Sequence, residues 1–158
     1  GAILLAIAIP GYAFLVNSSR LAAATNDLVT ALQLTRSEAI KRRMRVTVCK
    51  TSNAMADTPV CDTTASWQQG WLVFVDGGTK GVIDSGDTLL RVQDSLSAAV
   101  TITTSNFSSF VSYLPSGKSQ GPNELANGAL RVCLASTRRD IIINNTGRIR
   151  LDPIPAEC

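Results

Sequence analysis

The chain has 158 residues, a formal net charge of +3, four cysteines and no histidine. That length holds one domain plus an extended helix. The missing histidine excludes Cys₂His₂ and Cys₃His zinc sites and removes the usual general base at neutral pH. The small charge excess says little about partners; the placement of the arginines says more.

Gly1–Arg45 reads as one long helix with two characters. Gly1–Val16 is uncharged and almost wholly aliphatic, interrupted once at Pro10-Gly11. Proline removes an i→i−4 bond, so a kink or melted segment is expected there, or else a tolerated flaw. A bilayer crossing takes about 20 apolar residues. Residues 1–16 fall short of that. They are read as the tail of a longer membrane helix rather than as a buried N-terminal helix, because they have no polar side to show to water. Residues 17–45 are amphipathic. Leu21, Ala24, Leu28, Leu32, Thr35 and Ala39 recur at helical spacing and form one face that a sheet can cover. Lys41, Arg42, Arg43 and Arg45 crowd the end, where cations suit the helix dipole.

Residues 46–158 read as short strands and turns. Val46–Lys50 is β-branched and alternating, and Thr51–Ser66 is a polar loop. Trp71–Val75 is a continuous apolar run that stops at Asp76-Gly77-Gly78; Trp67 and Trp71 are read as packing a core edge. Asp76–Asp87 has part of the spacing of a calcium loop, but Gly78 and Lys80 occupy ligand slots, so it is read as a hairpin turn. Further strands are expected at Thr88–Gln93, Val100–Thr104, Phe110–Leu114, Ala129–Ala135, Asp140–Asn144 and Arg148–Leu151. Lys118–Gly128 is expected to be a surface loop, and Pro153 and Pro155 to end regular structure. One helix followed by closely spaced strands gives an α+β fold, with a long N-terminal helical spine packed against antiparallel β-sheets.

Cys49, Cys61, Cys133 and Cys158 allow three pairings. Cys49–Cys61 and Cys133–Cys158 are the natural guess, because each closes a local loop. Disulfides place the β region in an oxidising compartment.

Three stretches resemble one family. They are the Ser37–Cys49 run SEAIKRRMRVTVC, the Trp67…Gly70-Trp71 pair, and Gly147–Arg150, a GRxR-like motif. Together with the apolar helix they resemble the type IV pilin-like proteins of the GspH/FimT/FimU group, over nearly the whole chain. The resemblance implies a minor pilin. Such a chain has a single-pass helix in the inner membrane of a Gram-negative bacterium and a periplasmic β domain, and later joins an extracellular pilus. Its partners are other minor and major pilins, met through the N-terminal helix, and its work is priming assembly near the tip for twitching and adhesion. The type II secretion pseudopilin H is the alternative within the fold.

A second alternative is DNA uptake. In competence-associated FimT-like members a GRxR motif at this position goes with DNA binding, and Gly147, Arg148 and Arg150 match it. If Asp140–Asn144 pairs with Arg148–Leu151, Arg138 and Arg139 come near, making one compact cationic patch for double-stranded DNA. The reading preferred to this one is that the arginines are structural or solvated, facing acidic neighbours in the fibre. No nucleophile elbow, P-loop or dinucleotide fingerprint occurs. No catalytic residue, metal or cofactor is expected.

Overall fold

The computed structural model describes residues 2–152 and 157–158, with side chains from Pro10 onward. The expected stops at Pro153 and Pro155 lie outside the described residues. Helix α1 spans Ala2–Arg42 and runs unbroken through Pro10-Gly11, so that dipeptide is not a melted segment. Arg43 ends the helix in the left-handed region, at φ 55°, a common helix stop. In the last turns Glu38 accepts from Arg42 at 2.5 Å and pairs with Lys41 at 3.6 Å. The Arg42 hydrogen bond holds the Glu38 carboxyl below its ordinary range.

Nine strands follow among the described residues: β1 (Val46–Lys50), β2 (Trp71–Val75), β3 (Thr88–Gln93), β4 (Val100–Ser105), β5 (Phe110–Tyr113), β6 (Ser119–Gln120), β7 (Gly128–Leu134), β8 (Thr137–Ile143) and β9 (Ile149–Leu151). They form two antiparallel sheets, ordered β3-β2-β1-β5-β6 and β4-β7-β8-β9. Helix α1 ends at Arg42 rather than Arg45, β9 begins at Ile149 so that Arg148 precedes it, and two elements differ further from expectation. Strand β8 begins at Thr137 rather than Asp140, because the β7–β8 hairpin turns on Ala135 and Ser136 alone and Arg138 and Arg139 pair with Cys133 and Val132. The short strand β6 lies inside the expected 118–128 loop, paired with the end of β5.

The core sits between α1 and both sheets. Leu21, Ala24, Leu28, Leu32, Thr35 and Ala39 are all buried. All but Thr35 share one apolar cluster with Val48, Trp71 and Val111 of the five-stranded sheet and Leu130, Val132 and Ile141 of the four-stranded sheet. Each leucine fully buried there contributes about 1.5–3 kcal/mol. Thr25 and Thr35 are tolerated in the stripe because their hydroxyls donate to the Leu21 and Ala31 carbonyls at 2.7 Å. The tryptophans are core residues too, and Trp67 Nε1 donates to the Phe107 carbonyl at 3.1 Å.

The other face of the five-stranded sheet carries a second apolar cluster, with Cys49, Ala54, Leu72, Phe74 and Phe110. Strand β2 is therefore covered on both faces, which is why it reads as unbroken Trp-Leu-Val-Phe-Val. Cys49–Cys61 and Cys133–Cys158 are both bonded. The first staples the 51–66 loop over the second cluster. Within that loop Asp62 accepts hydrogen bonds from the Ser52 and Thr64 side chains at 2.6 Å.

Those bonds hold the Asp62 carboxyl down to about 2, the Ser52 hydroxyl contributing most. A carboxylate depressed in the folded state stabilises above its unfolded value, near 3.9, and loses that contribution as pH falls through the folded value. Ser52→Ala is expected to move the Asp62 midpoint back toward 3.8, followed by carboxyl chemical shifts between pH 1.5 and 5.

Candidate functional site

The candidate residues lie in the four-stranded sheet, where strand parity sorts them. Leu130, Val132, Leu134, Ile141 and Ile143 are buried. Their alternating neighbours Arg131, Arg138, Asp140 and Ile142 therefore face outward. Arg150 sits opposite Ile142 in the β8–β9 pairing and shares that outer face. The result is a shallow groove of about 380 Å³ lined by Asn127, Arg131, Asp140, Asn144, Asn145 and Arg150, among others.

Asp140 is shared by two guanidiniums. Arg138 Nε lies 2.8 Å from one carboxylate oxygen and Arg131 Nε 3.8 Å from the other. The closer contact is an ion pair without an aligned N–H···O bond. Asp152, whose amide donates to the Asp140 carbonyl at 2.9 Å, adds a second carboxylate, and Arg131, Arg138 and Arg150 together still leave the face with a cationic excess. Such a surface suits phosphate or carboxylate groups. No aromatic side chain lines the groove, so it offers no stacking platform for bases.

The five expected site residues do not form one compact patch. Arg138 and Arg150 share the outer face. Arg148 lines a separate cleft of about 250 Å³ against α1, with Gln33, Arg36, Ser37, Ile40 and Ile149. Arg139 has the inward parity of Ile141 and lines a third depression, beside the N-terminal part of α1. Arg131 was missed by sequence reasoning. Its signal was the alternation in Leu130-Arg131-Val132-Cys133-Leu134, legible only once β8 is known to pair there.

Gly147 has a structural assignment. It sits at φ 79°, and a Cβ on it would lie 2.1 Å from the Gly117 carbonyl oxygen. That same oxygen accepts from Arg36 Nε of α1 at 3.1 Å. One carbonyl thus joins the helix, the β5–β6 turn and the β8–β9 turn. Asn144 completes the latter, its side-chain oxygen accepting from the Thr146 and Arg148 amides at 3.1 and 2.9 Å. Nearby, Tyr113 is fully buried and its hydroxyl has no hydrogen-bond partner among the described residues. Burial pushes that phenol above its usual range, with Arg36 opposing.

The Asp76–Asp87 carboxylates are engaged within the protein. Buried Asp76 accepts from Arg45 and Thr47 at 2.6 Å and from the Gly81 amide at 2.9 Å. Asp84 and Asp87 accept from the Thr79 and Gly77 amides, and Lys80 pairs with Glu124. The segment is a turn built by its own carboxylates.

A different surface appears at the start of α1. Tyr12, Phe14 and Leu15 are 73%, 69% and 67% exposed, although the helix continues into the core a turn or two later. Among the described residues no helix is long and apolar enough to cross a membrane.

The model of one family, described as type II transport protein GspH, matches residues 24–147. The chain belongs to the GspH family. Its fold is similar to the type IV minor pilin FimU of Pseudomonas aeruginosa, with a TM-score of 0.63 at 20% identity over 86% of this chain and 90% of that one. A second crystal form of FimU gives 0.60 at 20% identity, covering 83% and 91%. The minor pseudopilin EpsH from the type 2 secretion system of Vibrio cholerae gives 0.57 at 12% identity, covering 84% and 96%. No curated protein sequence matches significantly. These likenesses establish the type IV pilin-like fold, a helical spine under antiparallel sheets. The segment matched to the GspH family includes the stripe from Ala24 and reaches Gly147, stopping before Arg148 and Arg150.

Gly147→Ala is expected to destabilise the chain by at least the roughly 1–2 kcal/mol of a left-handed non-glycine residue, whereas Arg148→Gln stays within about 0.5 kcal/mol. Urea unfolding of the two variants checks this.

Proposed function

We propose that this GspH-family chain is a minor pilin of a type IV pilus, one that primes assembly near the tip and so supports twitching motility and adhesion. The observation that carries the reading is the bare apolar surface of α1 at Tyr12, Phe14 and Leu15, on the same helix whose next turns fill the core. A surface of that kind, continuous with a rigid spine, suits the inner membrane before assembly and the helices of other minor and major pilins afterwards. On this reading residues 1–16 belong to the membrane and fibre-core helix, residues 17–45 carry the β domain, and residues 46–158 form it, first in the periplasm and then on the extracellular pilus. The two disulfides agree with that compartment. Likeness to FimU supports the pilus, and likeness to EpsH supports a secretion pseudopilus as the alternative.

Deletion in the source bacterium is expected to abolish twitching and leave exoprotein release intact; the opposite pattern assigns the chain to secretion. Phe14→Asp, placed where side chains are exposed and folding is spared, is expected to fold yet fail to restore twitching.

A second reading is favoured by the outer groove, which Arg131 and Arg150 line beside Asp140. On it the chain also binds double-stranded DNA during uptake, through phosphates and without sequence preference. A fragment from Asn17 onward, titrated with duplex DNA at several salt concentrations, is expected to show log K falling with log salt. Arg131→Gln/Arg150→Gln, which removes both groove arginines, is expected to lower the slope by one to two units, roughly one per lost phosphate contact. No binding by the fragment at low salt removes this reading.

A further inference from the structure

Where α1 leaves the β sheets, the tip of the β7–β8 hairpin leans on it. Asn17, Ser18 and Leu21 of the helix and Leu134, Ser136, Thr137 and Arg139 of the hairpin enclose a depression of about 130 Å³, with Phe14 at its lip. Its polar lining offers hydrogen-bond donors, namely one guanidinium, three hydroxyls and an amide, and no carboxylate lines it.

Arg139 is the exception among the arginines of this hairpin. Arg131 and Arg138 share Asp140. Arg139 is half-buried on the helix side, and no carboxylate pairs with it among the described residues. A cation drawn partly out of water favours an anion that can share the site. Ala135, at the hairpin tip, takes the left-handed region at φ 54°. That is a costly conformation for a residue with a Cβ, held here at the rim of the depression.

Position then selects the anion. Tyr12, Phe14 and Leu15 are the exposed apolar residues immediately beyond. On the membrane reading they enter the apolar layer, which ends near Leu15. Ser18 is three residues beyond Leu15, about 4.5 Å along a helix, and a headgroup layer is about 5–8 Å thick on each side. The depression therefore falls at headgroup level.

We infer that this depression binds the phosphate of an anionic phospholipid headgroup, with Arg139 as its counter-ion. The inference rests on the membrane reading of α1. The phosphate accepts from Arg139 and from the Ser18, Ser136 and Thr137 hydroxyls, while Phe14 and Leu21 flank its glycerol carbons. Bound this way, a lipid fixes the angle at which the β domain stands on the membrane.

The test is sedimentation of the 158-residue chain with phosphatidylcholine vesicles and with vesicles containing phosphatidylglycerol. The wild type is expected to bind both and to prefer the second. Arg139→Gln is expected to cut partitioning to phosphatidylglycerol about tenfold, beyond the roughly fivefold that one arginine supplies by general attraction to an anionic surface. Ser18→Phe, which keeps the charge and fills the depression, is expected to do the same, while Arg20→Gln stays within the general effect. Phosphatidylcholine binding and thermal melting are expected to stay unchanged in all three. Arg139→Gln behaving like Arg20→Gln overturns the inference alone. A folded Ser18→Phe that retains the preference also overturns it; if Ser18→Phe does not fold, the two arginine variants decide. Displacement by millimolar inorganic phosphate, at matched ionic strength, reassigns the site to free phosphate. A wild type that binds neither vesicle removes the membrane reading together with the inference.

Discussion

One narrow apolar stripe on α1 serves two sheets at once. Leu21, Leu28 and Leu32 meet strands of both within a single cluster, and neither sheet closes on itself. The inner faces of the sheets depend on the helix for cover, so helix formation and sheet docking are one cooperative event. The same constraint explains why polar residues in the stripe are threonines. A hydroxyl returned to a carbonyl of its own helix leaves a surface that is apolar to the sheets.

Fixing the inner face of the four-stranded sheet also fixes its outer face. Once Leu130, Val132, Ile141 and Ile143 point at α1, Arg131, Arg138, Asp140 and Arg150 have no alternative but to face away. The clustering of charge there follows from register. The glycine of the GRxR-like motif belongs to a different necessity. Gly147 brings the β8–β9 turn onto the Gly117 carbonyl, which also receives Arg36. Two halves of one short motif thus answer to packing and to surface chemistry separately.

The helix, its buried stripe and the central strands were legible because each has one strong period, and periodicity survives without knowledge of the fold. The resemblance of three short stretches to pilin-like proteins led to the family that the GspH match establishes. The arginines were less legible. Arg138-Arg139 reads as a polar break, and only the two-residue turn at Ala135-Ser136 turns it into strand, placing Arg138 outside and Arg139 inside. Arg131 was hidden for the same reason, since an outward residue acquires meaning only from its cross-strand neighbour. Arg148 and Arg150 read as a pair two apart, yet Arg148 precedes the strand and lines the helix-side cleft.

The Cys133–Cys158 bond ties Cys158 back to β7. Strands β8 and β9 therefore lie inside a covalent ring. Edge strand β9, only three residues long, cannot be peeled off by traction on the tail, because the pull is delivered to β7 in the interior of the sheet. Any tension reaching Cys158 passes into β7 and is carried as shear across the β4–β7 ladder, whose six paired residues yield together. An element that would otherwise fray first is thereby removed from the load path.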